Sequence, residues 1–322
     1  MQRDLLREMS VKRSFNLKNI RYKVEYLLFL SFSFIIPLFP RRIMLSAASI
    51  LGNIGYRLLS KRKKIALINL DIAFGNAKNI EEKREIVKES FRNFVRGVVD
   101  ILYLKDMTRD QIAKILEIDP EDLKLLRKIH RGNKGILFAA SHFGNWEIMA
   151  IAYGYWGPSS LNVVARRFDN PYINMAMNKY RQKSGNNIIY KDNASKKIIR
   201  ALKRNEGVAI LMDQNTGNGG IFVDFFGKPA ATTKGMGSIH LLTKSPIIMA
   251  TCYPLEDYRY RIVFGPEVKY KESSDKEKDI HEITQKCTYF IEEYIRKNPD
   301  YWLWGHKRWN KQPYGEKKTY NC

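Results

Sequence analysis

His142 and Glu147 stand five residues apart in the run SHFGNWE, a His-X4-Glu box. An imidazole titrates near neutrality and suits a general base, and a carboxylate against its second nitrogen would fix the tautomer and stabilise the imidazolium. In one continuous helix, five steps turn through about 500°, leaving the two side chains ~140° apart and unable to cooperate. They meet only if His142 lies in a strand-to-helix turn and Glu147 in the first helical turn, with its carboxylate aimed back at the ring. The plainer reading is a hydrogen-bonded histidine at a strand end with Trp146 packed beside it. Gly144 is expected to let a substrate backbone or acyl chain approach closely. A metal is not expected: there is no HExxH, and His130, His240, His281 and His306 have no ligand spacing with His142. No GxSxG elbow is present, and GNGG (Gly217–Gly220) is not a phosphate loop. No cofactor motif appears.

The elements that must position the box follow from periodicity. Apolar positions from Val87 to Leu102 recur at helical spacing within residues 81–104. GILFAAS (Gly135–Ser141), LNVVARR (Leu161–Arg167), NNIIY (Asn186–Tyr190), GVAILMDQ (Gly207–Gln214) and PIIMATCYP (Pro246–Pro254) read as strands. Helical stretches separate them, including Pro171 to Lys183, residues 194–204 and residues 279–297. Apolar strands alternating with helices predict an α/β fold: a mixed, largely parallel sheet flanked by helices. In such sheets ligands bind beyond the carboxyl ends of the strands. Those ends carry His142, Arg166 with Arg167, and Asp213 with Gln214, so parallel neighbours would gather them in one cleft.

Glu147 is the expected partner of His142. The alternative is Asp213, reaching from a neighbouring strand, with Glu147 holding local structure or the acceptor. Asn145, Arg166, Arg167, Asn170 and Gln214 are the candidate substrate-binding residues, with Arg181 a further anion clamp. Arg167 and Arg181 can equally be read as solvated helix-end charges. The Phe225-Phe226-Gly227 turn and Thr232-Thr233-Lys234-Gly235 are expected to shape a loop and cap the next helix. The aromatic and basic segment from Tyr301 to Trp309 reads either as a surface for headgroups or as a packed terminal segment.

Among 322 residues, 56 Lys and Arg face 33 Asp and Glu, a net charge of +23. The excess indicates an anionic partner: nucleic acid, a membrane surface or an acidic or phosphorylated substrate. No signature of a nucleic-acid-binding fold appears. Residues 1–23 carry Arg3, Arg7, Lys12, Arg13, Lys18, Arg21 and Lys23, and Tyr26 to Pro40 then runs without a charge. Fifteen such residues are short for a span, which needs ~20, and Pro37 and Pro40 would end a helix early. A signal peptide, a buried core helix and a membrane anchor compete; the basic flanks, extended by RLLSKRKK (Arg57–Lys64), favour an anchoring helix, spanning or interfacial. Residues 1–60 are therefore taken as a basic arm and anchor, and residues 61–322 as the catalytic domain. Cys252, Cys287 and Cys322 form no CxxC, which fits a reducing compartment better than a disulfide framework.

SHFGNWE, VARRFDNP, LMDQN, FVDFFGKPAATTKG and WLWGHKRWNKQP, in this order, resemble the lipid A biosynthesis acyltransferase family, the late lauroyl and myristoyl transferases. The resemblance runs over roughly residues 25–312. It implies that His142 and Glu147 are the catalytic pair. It also implies transfer of a fatty acyl chain from acyl carrier protein to a hydroxyl of a lipid A precursor, an anionic glycolipid. The implied location is the inner membrane, with the catalytic domain on the cytoplasmic side. His142 would deprotonate the acceptor hydroxyl, which attacks the thioester, so no enzyme nucleophile is needed. Acyl-CoA as donor, another glycolipid or phospholipid as acceptor, and a noncatalytic lipid-binding protein are the alternatives.

Overall fold

The computed structural model describes residues 2–217, 219–314 and 319–320, with side chains from residue 17 onward. The side chains of Arg3, Arg7, Lys12 and Arg13 lie outside the described residues, as do Asn218 of GNGG and Cys322.

The strands are β1 (Leu116–Ile118), β2 (Ile136–Ala140), β3 (Leu161–Ala165), β4 (Asn187–Tyr190), β5 (Gly207–Leu211), β6 (Gly220–Phe225), β7 (Lys228–Thr233), β8 (Ile247–Pro254) and β9 (Tyr260–Glu267). The α-helices are α1 (Gln2–Ile35), α2 (Arg41–Leu58), α3 (Ser60–Phe74), α4 (Ile80–Leu104), α5 (Arg109–Ala113), α6 (Pro120–His130), α7 (Trp146–Trp156), α8 (Pro171–Gln182), α9 (Ala194–Lys203), α10 (Gly235–Thr243) and α11 (Lys276–Lys297). Seven of the strands form one sheet in the order β1-β9-β8-β2-β5-β3-β4. From β8 to β4 all pairings are parallel, whereas β9 runs antiparallel to β8 and carries β1 parallel to itself. The fold is thus mixed α/β with a largely parallel sheet flanked by helices.

β2 lies near the centre with all five residues buried, as its unbroken apolar run requires when both faces are covered. Its Leu137 and Ala139 join the core that includes Ile198 of α9, Ile239 of α10 and Ile283 of α11. Its Ile136, Phe138 and Ala140 join the other core, with Ile148 and Met149 of α7. The chain moves outward through α7 and α8 to β4, then returns through α9 to β5 on the opposite face. Right-handed crossovers dictate that change of face when the direction reverses. β6 and β7 form a separate antiparallel hairpin, turned by Phe226 and Gly227, both at positive φ.

Helix starts are marked in the sequence. Asn79 and Glu82 make a reciprocal capping box on α4, and Asn170 before Pro171 caps α8. Leu59 separates α2 from α3, which meet at 89°. Pro37 and Pro40 act as anticipated: α1 ends at Ile35, a single 3-10 turn follows, and Pro40 precedes α2. Among the described residues no single helix is long and apolar enough to cross a membrane; α2 and α3 meet that measure only as a bent pair. Nor is the arm a core helix. Leu27, Leu28, Leu30, Phe32, Phe34 and Ile35 of α1 are exposed.

A buried ion pair ties α2 to α4 and, through Tyr260, to β9. Arg41 Nε donates to Asp100 Oδ1 at 2.6 Å and its Nη2 to Oδ2 at 3.0 Å, while Tyr260 also donates to Asp100. Burial pushes the Asp100 carboxyl up, opposed by the Arg41 charge and by both hydrogen bonds. Close packing of α2 on α4 depends on Gly52, where a Cβ would lie 2.5 Å from Arg92 Cα. Arg41→Ala strands a buried carboxylate, and breaking such a pair typically costs about 3–5 kcal/mol. Denaturant unfolding in detergent should show a loss of that size, larger than the loss in the double variant Arg41→Ala/Asp100→Ala.

Candidate active site

The parallel register decides which side chains meet. Ala140 of β2 pairs with Leu211 of β5, so residues two further on, His142 and Asp213, stand abreast beyond the strand ends. His142 Nδ1 lies 2.8 Å from Asp213 Oδ1, and the His142 backbone N–H donates to Oδ2 at 2.9 Å. The Trp302 indole N–H donates to the same Oδ2 at 2.7 Å. Burial alone would raise the Asp213 carboxyl, but the His142 ring and these three hydrogen bonds lower it to about 2. Asp213 is therefore an ionised acceptor, so the Nδ1 facing it carries a proton and the free edge of the ring is Nε2. Gln214 Nε2 sits 3.3 Å from that nitrogen.

The orientation expected of Glu147 is corrected. Glu147 does fall in the first turn of α7, but its carboxylate turns to Arg181, whose Nε donates to Oε2 at 2.9 Å. The pair is mostly buried and links α7 to α8. It draws Glu147 off the ring, and Asp213 takes the position at Nδ1. Trp146 packs edge-on against the imidazole, 5.0 Å between ring centres.

His142, Trp146, Glu147, Arg166, Arg181 and Gln214 share one cleft of about 250 Å³. It extends between α7 and the sheet to Phe138 and Tyr153. Arg166 is an exposed mouth residue, paired with Asp169 at 2.9 Å. Three other candidates are placed differently. Arg167 lies over the Tyr190 ring, 4.0 Å from its centre, outside the cleft lining. Asn145 is a buried helix cap that accepts from Ile148 N–H and donates to Tyr260. Asn170 caps α8 and donates to the Tyr22 carbonyl and to Glu25 of α1. Both asparagines spend their polar atoms on architecture. Gly144, at φ +58°, makes room for β8: a Cβ there would sit 1.8 Å from the Cys252 carbonyl oxygen. The close approach is to the protein's own backbone, not to a substrate.

The carboxyl-terminal aromatic segment is the packed one of its two readings. Trp302, Trp304, Arg308 and Trp309 are buried. Its backbone clamps the histidine turn, with Gly144 N–H donating to Tyr301 O at 2.9 Å and Leu303 N–H to His142 O at 3.1 Å. Trp302 and His306 are the site residues that sequence reasoning missed. His306 Nε2 accepts from Asn215 N–H at 3.0 Å, steadying the loop that carries Asp213 and Gln214. Burial lowers its pKa, with help from the charges of His142, Arg308 and Arg62 and against that of Asp213, to about 4. Among the described residues no group of three or more His, Cys, Asp or Glu is placed to hold a metal.

A half-buried imidazole, an ionised partner and a cleft lined largely by apolar side chains suit proton abstraction from a hydroxyl. The sequence carries matching similarities. The family model described as bacterial lipid A biosynthesis acyltransferase matches residues 11–311. A lipid A biosynthesis palmitoleoyltransferase of Escherichia coli (strain K12) is 25% identical over 273 residues, covering 84% of this chain and 86% of that protein. A lipid A biosynthesis lauroyltransferase of the same organism is 24% identical over 276 residues, with the same coverage of each chain. A lipid A biosynthesis acyltransferase of Shigella flexneri is 25% identical over 273 residues, covering 84% of this chain and 86% of that protein.

The depressed pKa of His306 makes a signed prediction. An unfolded histidine takes up its proton near 6.5, whereas folded His306 resists until about 4. Its contribution is therefore fully present above pH 6.5 and is lost as pH falls toward 4. Unfolding free energies measured across that window should decline with acid in the wild type and decline less steeply in His306→Gln.

Proposed function

Since the chain belongs to the bacterial lipid A biosynthesis acyltransferase family and is an O-acyltransferase of that type, we propose that it moves a fatty acyl chain from acyl carrier protein to a hydroxyl of a lipid A precursor, with His142 as general base. The observation that carries the mechanism is the Nδ1 contact of His142 with ionised Asp213, which leaves Nε2 basic and facing the cleft. The acceptor hydroxyl takes the position at Nε2 that Gln214 borders. Its proton passes to Nε2 as its oxygen bonds to the thioester carbonyl carbon. The tetrahedral adduct then collapses, the C–S bond breaks, and the imidazolium returns the proton to the leaving thiolate. The Gln214 amide, beside the reacting atoms, donates to the developing oxyanion. Asp213 stabilises the imidazolium between the two transfers.

The donor's chain lies in the depth of the cleft, against Phe138, Met149 and Tyr153. The thioester's carrier protein, acidic by this reading, docks at the mouth. Arg166 and Lys191 border that mouth, and α9 follows with Lys196, Lys197, Arg200 and Lys203 exposed along one side. Glu147 and Arg181 form the polar wall, and Arg166 meets anionic groups of donor or acceptor. The exposed apolar residues of α1 and α2 rest on the inner membrane, and the exposed Arg57, Lys61, Arg62 and Lys64 meet anionic headgroups from the cytoplasmic side.

His142→Ala should abolish transfer of acyl chains from carrier thioester to lipid A precursor, read by mass spectrometry, while circular dichroism stays native. Asp213→Asn, which offers Nδ1–H a neutral partner and favours the wrong tautomer, should lower kcat by about 10⁴. Retained transfer in His142→Ala would remove the imidazole from the mechanism.

A further inference from the structure

Gln214 lines two cavities. One is the cleft described above; the other, of about 420 Å³, lies between α2, α4 and the carboxyl-terminal strap. Its walls are Gly55, Leu59, Phe91, Phe94 and Val95, and its polar end is formed by Gln214, Arg62 and His306. We infer that this second groove seats the acyl chains of the glycolipid acceptor, so that donor and acceptor reach His142 from different sides. The inference rests on the proposed transfer to a lipid hydroxyl.

Four observations support this occupant. The groove is walled mainly by apolar side chains and glycine, and Ser90, also in its wall, spends its hydroxyl on the Trp302 carbonyl, which leaves the Gln214, Arg62 and His306 side as the place for polar contacts. It continues onto an exposed apolar face: Ile50, Leu51, Ile54 and Leu58 of α2 and Phe94 and Val98 of α4 are all exposed. An amphiphile that already carries several chains enters from such a face without drawing them through water, and this groove is the larger of the two, about 420 Å³ against about 250 Å³. Arg62 stands exposed at the rim, donating to Gly305 O at 3.0 Å, and pairs with no carboxylate among the described residues. It offers a free cation to an anionic headgroup. Finally, a small cavity lined by Phe94, Val98, Ile101, Trp146 and Glu147 joins the α4 wall to the first turn of α7, next to His142. An enzyme that joins two lipids needs two apolar seats meeting at one polar point, and Gln214 is where these two meet.

A Cβ on Gly55 would find its nearest neighbour, Phe91, at 3.5 Å, an ordinary contact. Gly55→Leu therefore fills the groove without striking backbone, and Phe94→Glu charges an exposed wall as a second, independent obstruction. Equilibrium binding of lipid A precursor to the full chain in mixed micelles, with no donor present, reads the groove directly. Both variants should weaken that binding by about tenfold or more and raise the acceptor KM in step. The KM for acyl carrier thioester should stay near the wild-type value. Unchanged precursor binding in both variants, or a donor KM that rises in place of the acceptor KM, overturns the assignment. A wild-type protein that binds the precursor through this groove yet transfers nothing from any thioester would sink the proposed chemistry and leave the groove standing.

Discussion

Asp213 is a carboxylate with almost no contact with water, held ionised by what surrounds it. A charge taken out of solvent costs several kcal/mol unless hydrogen bonds replace its hydration. Here the replacement comes from the His142 ring, the His142 amide and the Trp302 indole. Each donor is itself fixed by something larger. The ring and amide follow β2, the carboxylate follows β5, and the indole belongs to a strap that closes over both. Which ring nitrogen meets the carboxylate, and which is left facing Gln214 in the cleft, is a consequence of sheet register plus that one indole.

The N-terminal arm is organised by a comparable device. Arg41 begins α2, Asp100 lies near the end of α4, and Tyr260 begins β9; the three meet in one buried cluster. Asn145, the cap of α7, reaches the same tyrosine at 3.3 Å. The apolar arm and the turn that carries His142 therefore share a polar anchor. Such a cluster fixes orientation more than it adds stability, because the desolvation of its charges offsets much of the attraction.

The sheet was legible because its central strands are short apolar runs with turn residues at their borders. β9 was passed over although Tyr260, Ile262 and Phe264 alternate with more exposed neighbours; that period of two is the mark of an antiparallel strand. The turn at Phe225-Phe226-Gly227 was legible, but the strands it joins were not, because β7 reads KPAATT, with little of the apolar alternation that marks a strand. In the site, nearness along the chain favoured Glu147, but spatial register favoured Asp213. Only the β2–β5 pairing relates positions 142 and 213, and one sequence does not reveal that pairing. Asn145 and Asn170 carried a local signal, the helix cap, that accounts for them without any ligand. Trp302 and His306 offered no spacing to read, since their partners lie far away in sequence.

The strap has a temporal consequence. Residues 301–303 pair with the histidine turn, and the indole of Trp302 supplies one of the contacts that keep Asp213 charged. The ribosome makes the His142 turn and the Asp213 loop well before it makes the strap. Until that late segment docks, Asp213 lacks its indole donor and the histidine turn lacks its backbone bonds to Tyr301 and Leu303. The polar centre of the cleft is thus completed only when the last part of the fold closes over it.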